Sequence, residues 1–265
     1  MSIKRILMSV AGTAALTVSM PLSAMAANTV VVTPTNEQGW STADTRPGGA
    51  VNFIADSTAP AGSGALQLTT DATTTAKAQY LHGASDALAS VTDFSYYTKQ
   101  NSAPFPGAAP SYQIPVLLNG TSGFTTLVFE PYQNLLQGVV TPGVWQKWDV
   151  ANGLFWSSRT VACSNGTVVG TPGGPASYTL SQIESLCPSA VTLGFGVNIG
   201  SNNPSYNVEA DLVTYNGTSY NFEPTQTPAS KDACKDNGWS TFNTPTFKNQ
   251  GDCVSYIASN SKSNK

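Results

Sequence analysis

SYQIPVLLNGTSGFTTLVFE, residues 111 to 130, sets the class of fold. Apolar side chains recur at Tyr112, Ile114, Val116 and Leu118, and a second run groups Phe124, Thr126 and Val128. Side chains two apart on an extended chain share a face, so each run gives a strand with one face to bury. Asn119-Gly120 lies between them, the dipeptide a two-residue hairpin asks for because both loop positions need positive φ. Asn216-Gly217 stands likewise between VEADLVTY and TSYNFE, and Asn165-Gly166 is a third such pair. All three also match the N-x-[ST] acceptor pattern; here they read as turns.

The same period of two recurs outward from this stretch: Val51, Phe53 and Ala55; Leu66 and Leu68; Val191, Leu193, Phe195, Val197 and Ile199. Turn signals separate the runs at the spacing of a β-sandwich. Thr, Ser, Asn and Gly dominate the polar residues and favour strands and tight turns. Two short helices are predicted. Thr179 to Leu186 has an N-cap in Thr179, with Leu180, Ile183 and Leu186 on one face and Pro188 to end it; Asn249 to Ala258 places Cys253 and Ile257 together.

The first residues read as a secretory signal: Lys4 and Arg5, an apolar run from Ile6 to Met20, then Ala24-Met25-Ala26 ahead of a cut before Ala27. The apolar run is shorter than the roughly 20 residues that span a bilayer. The processed chain is therefore expected outside the cytoplasm, in the periplasm or beyond the cell, and not integral to a membrane. Cys163, Cys187, Cys234 and Cys253 are the four cysteines. In an oxidising compartment an even count without CxxC spacing suggests disulfides, and of the three possible pairings the most local is Cys163 with Cys187 and Cys234 with Cys253. Loss of Lys4 and Arg5 leaves ten basic against fifteen acidic side chains, a net charge of −5. No basic cluster exists, which argues against a nucleic-acid partner.

EPTQTPAS, 223 to 230, has two prolines and no apolar period, as a linker does. The expected organisation is a signal at 1–26, a sandwich at 29–223, a linker at 224–230, a disulfide-closed appendage around Trp239 at 231–258, and a disordered tail at 259–265.

GWSTADTRPGGAVNF (39–53), GALQLTT (64–70), WQKWDVANGLFW (145–156), TLSQIESLCPSAVTLGFGVNIGS (179–201) and EADLVTYNGTSYNFE (209–223) together resemble secreted bacterial jelly-roll proteins of the concanavalin-like and carbohydrate-binding-module type. The tail resembles a short Cys-and-Trp motif found at the C-terminus of varied secreted bacterial proteins. The resemblance implies an all-β jelly-roll antiparallel sandwich and a structural Ca²⁺ near the terminal strands, with Glu209 and Asp211 as the first ligands to consider. Calcium takes six to eight oxygens, so backbone carbonyls would have to complete that set. Fold-level likeness alone assigns no activity.

Catalytic chemistry is poorly supplied. Glu209-Ala210-Asp211 is similar to the E-x-D-x-x-E run of secreted β-glucanases, but Val213 and Thr214 stand where the final Glu would be. Asp211 is expected to face outward or to hold a cation. Glu130, on the face of Phe124, Thr126 and Val128, reads as a solvated carboxylate at a strand end. His82 is the single histidine, which rules out a multi-His zinc site, and no G-x-S-x-G elbow accompanies it.

Binding chemistry is better supplied. Sugars are held by aromatic faces and by amides or carboxylates that reach their hydroxyls. Trp145, Trp148, Trp156, Tyr132 and Asn198 are the candidate ligand residues. Trp145 and Trp148 point to opposite faces of one strand, so one belongs to the core. The even positions Thr192, Gly194, Gly196 and Asn198 carry almost no bulk, which marks the close approach of a ligand, a crossing loop or the disulfide-clipped helix. The sequence thus points to a non-catalytic secreted module that binds carbohydrate or another extracellular or envelope polymer. Two readings stay open beside it: a structural or adhesive surface protein, and a polysaccharide hydrolase or lyase with an unrecognised site.

Overall fold

The computed structural model describes residues 28 to 263, so the expected signal and its cleavage point lie outside the described residues. The strands in chain order are β1 (Asn28–Val32), β2 (Trp40–Ser41), β3 (Gly49–Ala55), β4 (Gly64–Thr70), β5 (Ala78–Gly83), β6 (Phe94–Ser102), β7 (Ser111–Leu117) and β8 (Phe124–Phe129). They continue with β9 (Gln146–Asp149), β10 (Phe155–Ser157), β11 (Val161–Ala162), β12 (Val168–Val169), β13 (Val191–Thr192), β14 (Gly194–Ile199), β15 (Asn207–Tyr215) and β16 (Thr218–Phe222). The helices are α1 (Leu180–Leu186) and α2 (Gln250–Ser263).

Two sheets pack face to face. In the first, β15 pairs with β4 and β16 along one edge and with β6 along the other; β3 lies beyond β4, β9 beyond β6, and β1 beyond β16. The second runs β2-β5-β14-β7-β8-β10, with β13 also on β7. All pairs are antiparallel except β1 with β16, which is parallel from Asn28↔Thr218 to Val32↔Phe222. Leu66, Leu68, Tyr96, Trp148 and Phe222 of the first sheet meet Tyr80, Tyr112, Ile114, Phe129 and Phe195 of the second, all essentially inaccessible to solvent. Each such side chain contributes about 1.5–3 kcal/mol by leaving water. Two of the buried phenols are satisfied, Tyr96 donating to Pro110 O at 2.7 Å and Tyr112 to Thr214 O at 2.8 Å, whereas the Tyr80 hydroxyl has no hydrogen-bond partner.

The opening hairpin differs from its sequence reading in two ways. Leu117 pairs with Phe124, so the connection spans 118 to 123 and only Gly120 and Gly123 take positive φ. Within β8 the core receives Leu127 and Phe129, whereas Phe124, Thr126 and Val128 face outward. Both alternate sets of FTTLVFE carry two apolar side chains, and the bulkier pair, Leu127 and Phe129, takes the interior. At Asn216-Gly217 the tight turn does form: Tyr215 pairs with Thr218, and the two loop residues have φ of 48° and 78°. Leu193 is exposed because the strand breaks there between β13 and β14.

Helix α1 starts as read, with Gln182 N–H donating to Thr179 Oγ1 and Thr179 N–H to Gln182 Oε1, a reciprocal cap. Cys187 at its end bonds Cys163, joining it to the turn after β11. Cys234 bonds Cys253 and ties α2 to the segment carrying Trp239. Inside that appendage Phe247 packs edge-on to Phe242 and Tyr256. Helix α2 runs to Ser263, further than the sequence pattern indicated and into the stretch expected to be a disordered tail. Among the described residues no helix is long and apolar enough to cross a membrane.

Candidate ligand groove

The outer face of the second sheet is a groove of about 1020 Å³. Its floor follows from strand register. Across β5, β14, β7, β8 and β10 the partners Leu81↔Gly196, Gly196↔Gln113, Gln113↔Val128 and Val128↔Trp156 form one continuous row. Strands lie about 4.8 Å apart, so the row is roughly 19 Å long. Beside it, Gln79↔Asn198 and Asn198↔Ser111 make a polar row that leads toward Glu130. On the other side Pro115 pairs with Thr126, and Ser158 follows. Every one of these residues alternates with a core residue of its strand, so burying Tyr80, Tyr112, Leu127, Phe155 and Val197 inside is what sends this set outward.

Gly196 keeps the middle of the floor flat. A Cβ there would lie 2.2 Å from Tyr80 O, and one at Gly194 would lie 2.6 Å from His82 O. The close approach that the glycines signal is therefore made by the neighbouring strand β5, not by a crossing loop or a ligand. The absent side chains nonetheless leave the floor open.

Trp156 forms one end. Its indole N–H donates to Glu130 Oε2 at 2.7 Å, and Gln133 Nε2 donates to the same oxygen at 2.6 Å. Gln133 also reaches Tyr132 Oη at 3.2 Å, while its Oε1 accepts the N–H of Ala176 at 2.6 Å and so holds the 171–177 loop against the groove. Tyr132 packs edge-on to Phe105, and both rings are about two-fifths exposed. Burial, with the charge of Glu130, raises the pKa of the Tyr132 and Tyr206 phenols. Near β5, Asn198 Nδ2 donates to Gln79 Oε1 at 3.1 Å, and Gln79 Nε2 is anchored on Ala43 O. Lys77 pairs with Asp44, and Arg46 donates to Ser201 Oγ. At the opposite rim Arg159 lies over the ring of Phe124, 5.0 Å from its centre.

Of the residues picked from sequence, Trp156, Tyr132 and Asn198 line the groove, and Trp145 and Trp148 do not. Trp148 is the core partner, fully buried, its N–H on Thr98 Oγ1 at 2.8 Å. Trp145 belongs to the far sheet, where it donates to Asp56 Oδ2 at 3.0 Å and lies under Lys99 Nζ, 5.2 Å from the ring centre. Glu130 is engaged by two donors rather than merely solvated. Gln79, Gln113, Phe105, Phe124 and Tyr206 were missed, and the only sign they leave in sequence is alternation with core residues.

Glu209 and Asp211 have separate environments. Glu209 Oε2 lies 2.9 Å from Lys99 Nζ, which also holds Asp56, and Asn101 Nδ2 donates to Glu209 Oε1. Asp211 is wholly buried, correcting the outward placement. Its Oδ1 accepts the Phe222 N–H at 3.0 Å, and its Oδ2 has no hydrogen-bond partner. Burial pushes its pKa up to about 7. A carboxylate already neutralised by a buried lysine does not fit as a calcium ligand, so this pair does not suit a shared cation. Among the described residues no group of three or more His, Cys, Asp or Glu side chains is placed to hold a metal.

No protein-family model matches the sequence, and no curated protein does. Among solved structures, similarity is found to the family 11 carbohydrate-binding module of the cellulosomal cellulase Lic26A-Cel5E of Clostridium thermocellum, at 11% identity and a TM-score of 0.39, covering 65% of this chain and 84% of that one. The Clostridium thermocellum module in complex with a β-1,3-1,4-mixed-linked tetrasaccharide gives 11% identity and 0.40, covering 71% and 91%. The CBM22-1 xylan-binding domain of Paenibacillus barcinonensis Xyn10C gives 15% and 0.31, covering 67% and 83%. At such scores the likeness carries no weight for function, and the fold rests on its own strand order.

Proposed function

We propose that this protein is a non-catalytic carbohydrate-binding module that holds an extended polysaccharide in the groove of the second sheet. The observation that carries the reading is the row Leu81–Gly196–Gln113–Val128–Trp156, a flat, largely apolar floor closed by an indole and flanked by amide and hydroxyl side chains. The C–H faces of sugars lie on such a floor while the flanking groups take their hydroxyls. The spacing between strands is close to the rise of one sugar in an extended chain, so a polymer crossing the strands meets one strand per unit.

Charge placement supports binding over cleavage. The two groove carboxylates are Glu130, next to β8, and Asp44, held by Lys77 next to β5. Three strand spacings separate those positions, roughly 14 Å. Glycosidases need their carboxyl pair about 5–9.5 Å apart. Two disulfides, and no helix able to cross a membrane among the described residues, are compatible with an extracellular or periplasmic setting.

The test is affinity electrophoresis and calorimetry of the processed protein against soluble β-glucans, xylans and mannans. Retardation by at least one polymer, lost in Trp156→Ala, supports the reading. Uniform absence of binding would favour the structural or adhesive alternative, and release of reducing sugar would favour the hydrolase.

A further inference from the structure

We infer that Glu130 sets the charge selectivity of the groove, admitting an uncharged sugar at the Trp156 end and refusing a uronate there; this rests on the polysaccharide reading above. Both side-chain hydrogen bonds found to Glu130 come from neutral donors, the Trp156 indole and the Gln133 amide, and each goes to Oε2. None of the ion pairs among the described residues includes it. Its charge is therefore not neutralised locally, and it stands in a cavity next to an aromatic face. An ionised carboxylate only accepts hydrogen bonds, and those it receives are stronger than neutral ones. It thus rewards a sugar that presents hydroxyls and penalises one that presents a second carboxylate.

The other groove charges do not offset it. Lys77 and Arg46 are occupied with Asp44 and Ser201 on the β5 side, and Arg159 stands over Phe124 at the opposite end of β8. Gln133 is a positioning residue. By bridging Glu130, Tyr132 and the Ala176 N–H it fixes the direction in which the carboxylate points.

Affinity electrophoresis of the full chain in gels containing mixed-linkage β-glucan, xylan or polygalacturonate tests this, with Glu130→Gln and Gln133→Ala beside the wild type. The expected wild-type result is retardation by a neutral polymer and none by polygalacturonate at the same concentration. Glu130→Gln is expected to weaken neutral binding about 5- to 10-fold, the difference between a charged and a neutral acceptor, and to acquire measurable retardation by polygalacturonate. Gln133→Ala keeps the charge, so it should lose neutral affinity yet still refuse the anionic polymer. If Glu130→Gln and wild type discriminate alike, or if wild type prefers polygalacturonate, the inference is wrong while the groove reading stands. If wild type binds no polymer of either kind, the proposed function itself falls.

Discussion

Trp156 and Glu130 hold each other across β10 and β8, the indole N–H on the carboxylate at 2.7 Å, so one contact orients both the aromatic and the acidic element at one end of the groove. Trp156→Ala removes the stacking face and leaves that carboxylate with the Gln133 amide as its remaining side-chain donor. Its expected cost to polysaccharide affinity is about 2 kcal/mol, or roughly 30-fold, with little change in melting temperature. Trp148→Phe should do the reverse, lowering the melt through the lost Thr98 bond and the core void while leaving affinity unchanged. Calorimetry of both variants checks the pair.

Gly196 has a second role besides keeping the floor flat. In Gly196→Ala the new Cβ would sit 2.2 Å from Tyr80 O, against the backbone of β5, at a φ of 154°. The substitution is expected to destabilise the fold by about 1–3 kcal/mol as overpacking does, measured by urea denaturation. A variant as stable as wild type would show that β5 and β14 are less closely apposed than described.

Lys99 is almost enclosed with Asp56 and Glu209, their side chains 11%, 10% and 4% exposed. Although burial works against ionised Asp56, bonds from Lys99, Thr58 and Trp145 lower its pKa, whereas burial raises that of Glu209 despite Asn101 and Lys99. Lys99→Met leaves both acids without their cation and should cost about 3–5 kcal/mol at neutral pH. The loss should shrink under acid conditions as Glu209 takes up a proton, which a series of melts from pH 7 to pH 4 would show.

Asp211 gives a pH dependence of the opposite sense to ordinary acid denaturation. Its pKa rises from 3.8 to about 7 on folding, so the folded state holds a proton that the unfolded chain releases between those values. This contribution is complete below pH 3.8 and is lost as pH rises through 7, at most roughly 4 kcal/mol at about 1.36 kcal/mol per unit. Asp211→Asn cannot titrate, and the wild-type minus variant difference in unfolding free energy should therefore decline from pH 5 to pH 8. A flat difference would mean that Asp211 stays ionised when buried.

Polar contacts join the C-terminal end of the chain to the sandwich, Gln226 Nε2 of the linker donating to Ser63 Oγ at 2.6 Å and Thr244 Oγ1 of the appendage lying 3.2 Å from Thr35 Oγ1. The appendage's own stability leans on the Cys234–Cys253 bridge, worth about 3 kcal/mol for a loop of that size. Replacing both cysteines by serine should expose the appendage to protease while the main melting transition and groove binding stay as in wild type. A large drop in that transition would reveal a packing role for α2.

Several of these features are legible in the amino-acid sequence alone. The alternation in SYQIPVLL, the turn at Asn216-Gly217, the cap at Thr179 and the local disulfide pairing each depend on residues close in sequence. The orientation of FTTLVFE is not legible there, because both faces carry apolar bulk and only packing decides between them. Trp156 and Asn198 are visible as residue types, whereas Gln79 and Gln113 look like any solvent-facing amides. They acquire meaning only because β14, more than eighty residues downstream of β7, inserts between β7 and β5. Period-two reading assigns a face to each strand but is silent about which strands become neighbours.

The parallel pairing of β1 with β16 imposes an order on biogenesis. Asn28 finds its ladder partner at Thr218, so the leading strand has nothing to pair with until almost the whole sandwich has left the ribosome. Contacts that distant form slowly, and until then β16's outer border is a sticky open seam. A nascent chain stalled short of residue 222 therefore keeps its β1 strand unzipped, a natural handle for chaperones.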